Sequence, residues 1–239
     1  MRIAVVSDIH GNRTALEAVI ADLRETSPDV VFHGGDLADG GSSPKEVIDT
    51  LRDLGWAGLI GNTDEMLSIP EVFEEFARAR PHLDHLWRMT REMAAQTREW
   101  LGEERLDWLR RLPRKQVCGS VAVVHAIPQT CWKSPMPDAT DTELDSTYAE
   151  LEHQIAVYGH IHLPFVRRVS NFTVANSGSV GLPFDGDPRA SYILVTGTTA
   201  TIRRVNYDID REIRDLVASG LPHAEWIAAT LRTGRPQMP

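Results

Sequence analysis

Ile3-Ala4-Val5-Val6-Ser7-Asp8-Ile9-His10 sets a short apolar run directly against two residues that bind metals, and the arrangement recurs along the chain. Val30–Gly35 precedes Asp36, Trp56–Gly61 precedes Asn62, Val121–Val124 precedes His125, and Ile155–Gly159 precedes His160-Ile161-His162. Short runs rich in β-branched residues read as buried strands. The first intervening segment carries Leu16, Val19, Ile20 and Leu23 at helical spacing. Strands alternating with helices form a sheet whose ligands gather at the carboxyl ends of its strands. Asp8 and His10 sit two apart, as do His160 and His162, so each pair projects from one side of an extended segment. Seven side chains are thus expected to converge: Asp8, His10, Asp36, Asn62, His125, His160 and His162.

Their chemistry narrows the function. Carboxylates, imidazoles and one amide, without thiolate, suit divalent ions such as Mn, Fe, Zn, Co or Ni. One cation needs only three or four of these donors, so two ions sharing a carboxylate is the economical arrangement. Two metals roughly 3.5–4 Å apart clamp the attacking and leaving oxygens of an in-line phosphoryl displacement.

The order D-x-H, G-D, G-N, H, G-H-x-H, here Asp8/His10, Gly35/Asp36, Gly61/Asn62, His125 and Gly159/His160/His162, resembles the calcineurin-like metallophosphoesterase superfamily. Ser7–Asn12, Ser43–Leu51, Leu106–Pro113, Asn176–Tyr192 and Gly220–Pro222 are similar to small bacterial, phosphodiesterase-like members. The resemblance implies an α/β fold, a four-layer αββα sandwich of two mixed sheets. It also implies one metal on Asp8, His10, Asp36 and His162, and a second on Asp36, Asn62, His125 and His160, with Asp36 bridging. Manganese is the favoured ion. A bridging water, largely hydroxide near neutral pH, would attack phosphorus in line. Asp36, Asn62 and His125 would then carry catalytic as well as ligand roles.

One position departs from the family pattern. Many members follow Gly-Asn with a histidine thought to protonate the leaving group, whereas Gly61-Asn62 here precedes Thr63-Asp64-Glu65. Some diesterase-like members carry an Asp at the position of Asp64, which makes Asp64 a candidate catalytic residue. Near two dications its pKa should fall, which makes it a poor proton donor.

The rest of the chain is expected to frame this site in one domain over residues 1–239. Ser43-Pro44-Lys45-Glu46 reads as a capping box opening a helix to about Leu54. Residues from about 65 to 114 break the strand rhythm and read as a helical insert capping the site. Val72, Phe73 and Phe76 mark one helix, Pro81 punctuates it, Leu86 to Leu101 mark a second, and Leu106 and Leu109 a short third. Its aromatics either fill core or stack on a base or aryl group. The loop after His125, 126–145, makes Gln129, Trp132 and Lys133 candidate substrate contacts, with Asn62 meeting substrate from the metal side. A short helix is expected over Tyr148–His153. Phe165–Val169, Phe172–Ala175, Ser191–Thr196 and Thr201–Val205 alternate like antiparallel strands and are expected to form the second sheet. His33 is either a neighbour of the ligands or a core histidine. Arg189 reads as a structural ion pair, and the tail from Asp208 as two short helices followed by a loose Gly234-Arg235-Pro236.

Composition sets the class. With 239 residues and 42% hydrophobic content the chain can bury one sizeable core. A net charge of −9 provides no field for nucleic acid or anionic membrane. Cys118 and Cys131 form no C-x-x-C, the N-terminal apolar run is too short for a signal peptide, and no stretch could span a membrane. The reading is a cytoplasmic metal-dependent phosphoesterase acting on phosphodiester or phosphoanhydride bonds of a small phosphorylated substrate. The alternative is a Ser/Thr phosphoprotein or phosphomonoester phosphatase. The presence of all seven ligands argues against a non-enzymatic scaffold, and the sequence leaves the oligomeric state open.

Overall fold

A computed structural model describes residues 1–237. β1 (Arg2–Val6), β2 (Val30–His33) and β3 (Ala57–Gly58) alternate with α1 (Arg13–Thr26) and α2 (Pro44–Leu54), the βαβαβ start expected from periodicity. These three strands pair in parallel, with Ile3 opposite Val30 and His33 opposite Gly58. Helices α3 (Asn62–Ser68), α4 (Pro70–Arg78) and α5 (Asp84–Arg110) follow. Then come β4 (Lys115–Cys118), β5 (Val121–Val124), α6 (Asp141–Tyr148), β6 (Ile155–Tyr158), β7 (Phe165–Val169) and β8 (Phe172–Asn176). β9 (Ala190–Thr196), β10 (Thr199–Val205), α7 (Ile209–Ser219) and α8 (Ala224–Thr233) complete the chain.

The strands form two five-stranded mixed sheets, ordered β10-β9-β1-β2-β3 and β4-β5-β6-β8-β7. The strand period of two assigns the layers. Ile3 and Val5 point into a core shared with Val121, Val123, Ile155, Val157 and Ala175 of the other sheet. Ala4 and Val6 point the opposite way, onto Leu16, Val19, Val47, Ile48 and Leu51 of α1 and α2. On the far side, Ala122, Val124, Ala156 and Val174 meet Leu144 and Tyr148 of α6. The result is an αββα sandwich.

The strands after His162 do not all join the second sheet. β7 and β8 do, but β9 runs antiparallel beside β1, Ile3 opposite Val195, and β10 pairs with β9. Period-two alternation marks a segment as strand without saying whose edge it takes. β1 has its second edge free once β2 holds the first, and β9, with Tyr192, Ile193 and Val195 all buried, fits a position covered on both faces.

The helical run starts at Asn62 itself. The second and third expected helices are both present and meet at a kink at Gly102 (φ 68°, ψ 167°), a conformation glycine reaches without steric cost. Ser43 stands at the N-cap of α2, yet its hydroxyl makes no cap bond and meets Ser42 Oγ at 3.0 Å; Pro44 alone sets the first turn. The helix expected over Tyr148–His153 lies earlier: Thr140 Oγ1 accepts from Glu143 N and opens α6, leaving only a 3-10 turn at Ala149–Leu151. The tail is tied down, since Gly186 N donates to Gly234 O and Trp226 Nε1 to Gln237 O, both at 2.7 Å.

Candidate metal centre

The ligand-bearing segments leave β1, β2, β5 and β6 at their carboxyl ends and are tied to one another by backbone hydrogen bonds. Asp8 N donates to Gly35 O (2.9 Å), His10 N to Asp36 O (3.0 Å), and Gly159 N to His125 O (2.9 Å). His160 N donates to the Asp8 carboxylate at 3.1 Å. Five ligand residues, Asp8, His10, Asp36, His160 and His162, sit at φ between 51° and 68°. That left-handed region costs a residue other than glycine about 1 kcal/mol or more. Two glycines let the loops close. A Cβ on Gly35 would fall 2.5 Å from Gly61 N, and one on Gly61 would fall 2.1 Å from Asp36 Oδ1.

Three histidines are fixed in one tautomer by carbonyls behind them. His10 Nδ1 donates to Asp39 O (2.7 Å), His125 Nδ1 to Gly34 O (2.8 Å) and His162 Nδ1 to Leu182 O (2.5 Å). A carbonyl only accepts, so each Nδ1 carries the proton and each Nε2 turns a lone pair inward. Those lone pairs face other acceptors. His10 Nε2 lies 3.2 Å from His162 Nε2, His162 Nε2 3.1 Å from Asp8 Oδ1, and His10 Nε2 3.7 Å from Asp36 Oδ2. Asp8, His10, Asp36 and His162 each offer a ligand atom within 4.8 Å of the others, and all four are buried. On the other side of Asp36, its Oδ1 is 3.5 Å from His125 Nε2. Asn62 Oδ1 lies 2.9 Å from His125 Nε2 and 2.7 Å from His160 Nδ1. Lone pairs aimed at lone pairs across buried gaps fit a divalent cation on each side of Asp36.

Ligation needs neutral imidazole and ionised carboxylate, and the shifts at Asp8, His10 and His160 run that way while that at His125 runs against it. Burial opposes ionisation of Asp8, but the surrounding imidazoles, His162 foremost, outweigh it and hold the carboxyl well below its usual range. Burial, then the neighbouring His162, lowers His10. Burial, then His125, lowers His160 to about 4. At His125 burial pulls down, while Asp36 and Asp8 pull harder and raise it.

The remaining candidates separate by geometry. Asp64 has no exposed surface, and its carboxylate accepts from Asp36 N (2.7 Å), Leu37 N (2.9 Å) and Gly61 N (2.9 Å). Burial, then the charge of Asp36, pushes its carboxyl up to about 7, against the N–H bonds that favour the ion. It faces backbone and is closed off from solvent, so the structure places the candidate catalytic Asp64 as a clamp holding the Asp36 and Asn62 loops together. Gln129 is exposed and spends its amide on Glu150 (2.7 Å). Lys133 is likewise exposed. Trp132 lies in the wall of a cleft that also contains Asn62 and His160. His33 is fully buried against Trp108, ring centroids 5.8 Å apart, as a core histidine. Arg189 pairs with Asp187 within its own turn.

Two contributors escaped the sequence. Glu65, 3% exposed, accepts from Trp132 Nε1 (2.5 Å) and Cys131 Sγ (3.4 Å) and pairs with Arg114, joining α3 to the loop after His125. Phe184 stacks on His162 with ring centroids 4.3 Å apart. Neither follows a strand end, and both pairings span long sequence separations. The only available signal was that Phe184 follows the Gly178–Gly181 turn.

The chain is similar to known proteins in sequence and in fold. Residues 1–200 match the family model of the calcineurin-like phosphoesterase superfamily domain. An uncharacterized protein of Methanocaldococcus jannaschii, MJ0912, is 30% identical over 256 residues, covering 98% of each chain. The structure of a metallophosphoesterase from Sphaerobacter thermophilus superposes with a TM-score of 0.80 at 27% identity, covering 98% of this chain and 100% of that one. The hypothetical protein PH1004 from Pyrococcus horikoshii shares the fold, with a TM-score of 0.83 at 20% identity over 99% of both chains.

Proposed function

Because the chain belongs to the calcineurin-like phosphoesterase superfamily, we propose that it is a two-metal hydrolase of phosphodiester or phosphoanhydride bonds in a small phosphorylated substrate. The observation that carries the reading is the set of donor atoms turned inward on both sides of Asp36, with His10, His125 and His162 fixed from behind by carbonyls. Asp8, His10, Asp36 and His162 would hold one ion, and Asp36, Asn62, His125 and His160 the other, with Mn²⁺ the favoured ion for this oxygen and imidazole set. Divalent ions bound there would supply an activated water at neutral pH and would neutralise charge on the phosphoryl oxygens.

The protein's own part is placement. The Asp64 clamp sets Asp36 between the two groups and presents Asn62 at the start of α3. The residue after Asn62 is Thr63 rather than histidine, Asp64 is turned onto backbone, and the imidazoles beside Asn62, His125 and His160, are assigned to the metal. Substrates whose leaving groups need little protonation are therefore preferred, namely anhydrides, nucleotides or activated diesters. Free thiols at Cys118 and Cys131 fit a reducing cytoplasm. A net charge of −9 argues against nucleic acid as substrate.

The test compares matched aryl phosphate mono- and diesters with EDTA-stripped protein, with and without Mn²⁺. Metal-dependent turnover favouring the diester, with a rate that falls steeply as leaving-group pKa rises, is expected. A preference for monoesters, or a flat dependence, overturns the diesterase reading and moves the assignment to a phosphatase.

A further inference from the structure

A cleft of about 200 Å³ opens beside the metal centre. Asn62 and His160 form one wall, and Phe73, Phe76, Trp87 and Trp132 form the other. Protein cores leave few voids larger than a water molecule, so an aromatic cluster that only filled core would have closed on itself. Here Phe76, Trp87 and Trp132 all remain partly exposed.

The rings are held in place before any ligand arrives. Trp87 Nε1 donates to Arg80 O at 2.9 Å and Trp132 Nε1 to Glu65 Oε2 at 2.5 Å. Glu65 is itself anchored by Arg114 and Cys131. Phe76 is braced by the Arg80 guanidinium 3.7 Å from its ring centre and lies 4.7 Å from the Trp132 ring and 5.8 Å from that of Trp87. With both indole N–H groups committed elsewhere, the surface turned to the cleft is mostly ring. None of its lining residues is an acid, a lysine or an arginine, so the cleft does not select phosphate. Thr63 Oγ1, buried beside the cleft, has no hydrogen-bond partner among the described residues. The volume is below the roughly 300–1,000 Å³ typical of pockets for drug-sized ligands, and suits a single ring system.

Resting on the two-metal reading above, we propose that this cleft is the specificity pocket of the enzyme. It receives an uncharged planar aromatic group, a nucleobase or an aryl ring, carried by the phosphoryl group that Asn62 and His160 face. Stacking on the fixed indole and phenyl faces supplies the selectivity, which is tolerant of ring type because every such ring has a π-face.

Phenylphosphonate and methylphosphonate isolate the effect, since they share one anionic head, differ by the ring, and contain no bond the enzyme can hydrolyse. Calorimetric titration of the Mn²⁺-loaded protein should show phenylphosphonate binding roughly 5- to 150-fold tighter, the range for one stacked ring. Phe76→Ala, which removes a face, and Thr90→Phe, which fills the cleft from α5, should each shrink that ratio toward one, with methylphosphonate affinity reporting intact metal loading. Equal binding of the two phosphonates by the wild type, or a ratio unchanged in both variants, overturns the pocket while leaving the phosphoryl site standing. Binding of neither compound overturns the two-metal reading and this inference with it.

Discussion

His33 ends β2 with no exposed surface, and neither of its ring nitrogens has a hydrogen-bond partner among the described residues. Burial lowers its pKa from 6.5 to about 4. Between those values the unfolded chain binds a proton that the native protein does not. Stability is therefore fully present above pH 6.5 and is lost as pH falls toward 4. At about 1.4 kcal/mol per pH unit, the loss reaches ~3 kcal/mol at the acid end and ~2 kcal/mol by about pH 5. His33→Phe removes the titration and keeps a ring against Trp108. Any steric cost of the larger ring, with Gly58 packed against it, does not vary with pH. Urea unfolding of the metal-free wild type and variant, repeated from about pH 7.5 down to about pH 5, isolates the effect, because every other group titrates in both proteins. The wild type should lose ~2 kcal/mol more than His33→Phe over that range. Parallel curves would refute the reasoning and would mean that a ring nitrogen is hydrogen-bonded or already protonated in the folded protein.

Two substitutions test the centre itself. Asp64→Asn sets an NH₂ against a backbone N–H and strands at least one buried donor, at about 1–3 kcal/mol. It should lower Tm and Mn²⁺ affinity while leaving the dependence of rate on leaving-group pKa unchanged; a selective loss of turnover on poor leaving groups, with Tm intact, would restore Asp64 as an acid. Asp36→Ala should strip the metal from both sides of the site, whereas His10→Ala should weaken one side only, as read by elemental analysis after dialysis. Equal metal content in the two variants would remove Asp36 from its position between the groups.

Much of the site was legible because strand ends are. An apolar run announces a buried strand and the polar residue that stops it must lie at an end, so Asp8, Asp36, His125 and His160 could be placed without knowing any contact. Alternation could not assign β9 and β10 to a sheet, because a strand's pattern records how buried its faces are and says nothing about its neighbour. Asp64 looked like a reactive carboxylate because a sequence shows no backbone; only the approach of Asp36, Leu37 and Gly61 N–H groups reveals its partners. Gln129 misled for the reverse reason, since a polar residue in a loop near a ligand points equally well toward solvent. The bond from Trp132 to Glu65 joins residues 67 positions apart, beyond the reach of any local spacing rule.

The left-handed backbone at Asp8, His10, Asp36, His160 and His162 bears on how such a protein changes over generations. At each of these positions glycine, and to a lesser degree asparagine, relieves backbone strain. A lineage that no longer needs the reaction meets no stability barrier from backbone geometry when it discards these ligands; the backbone favours their loss. Retention of all five side chains in unfavourable geometry is accordingly a mark of continuing selection for what they bind, and the sandwich beneath them is free to outlive its chemistry.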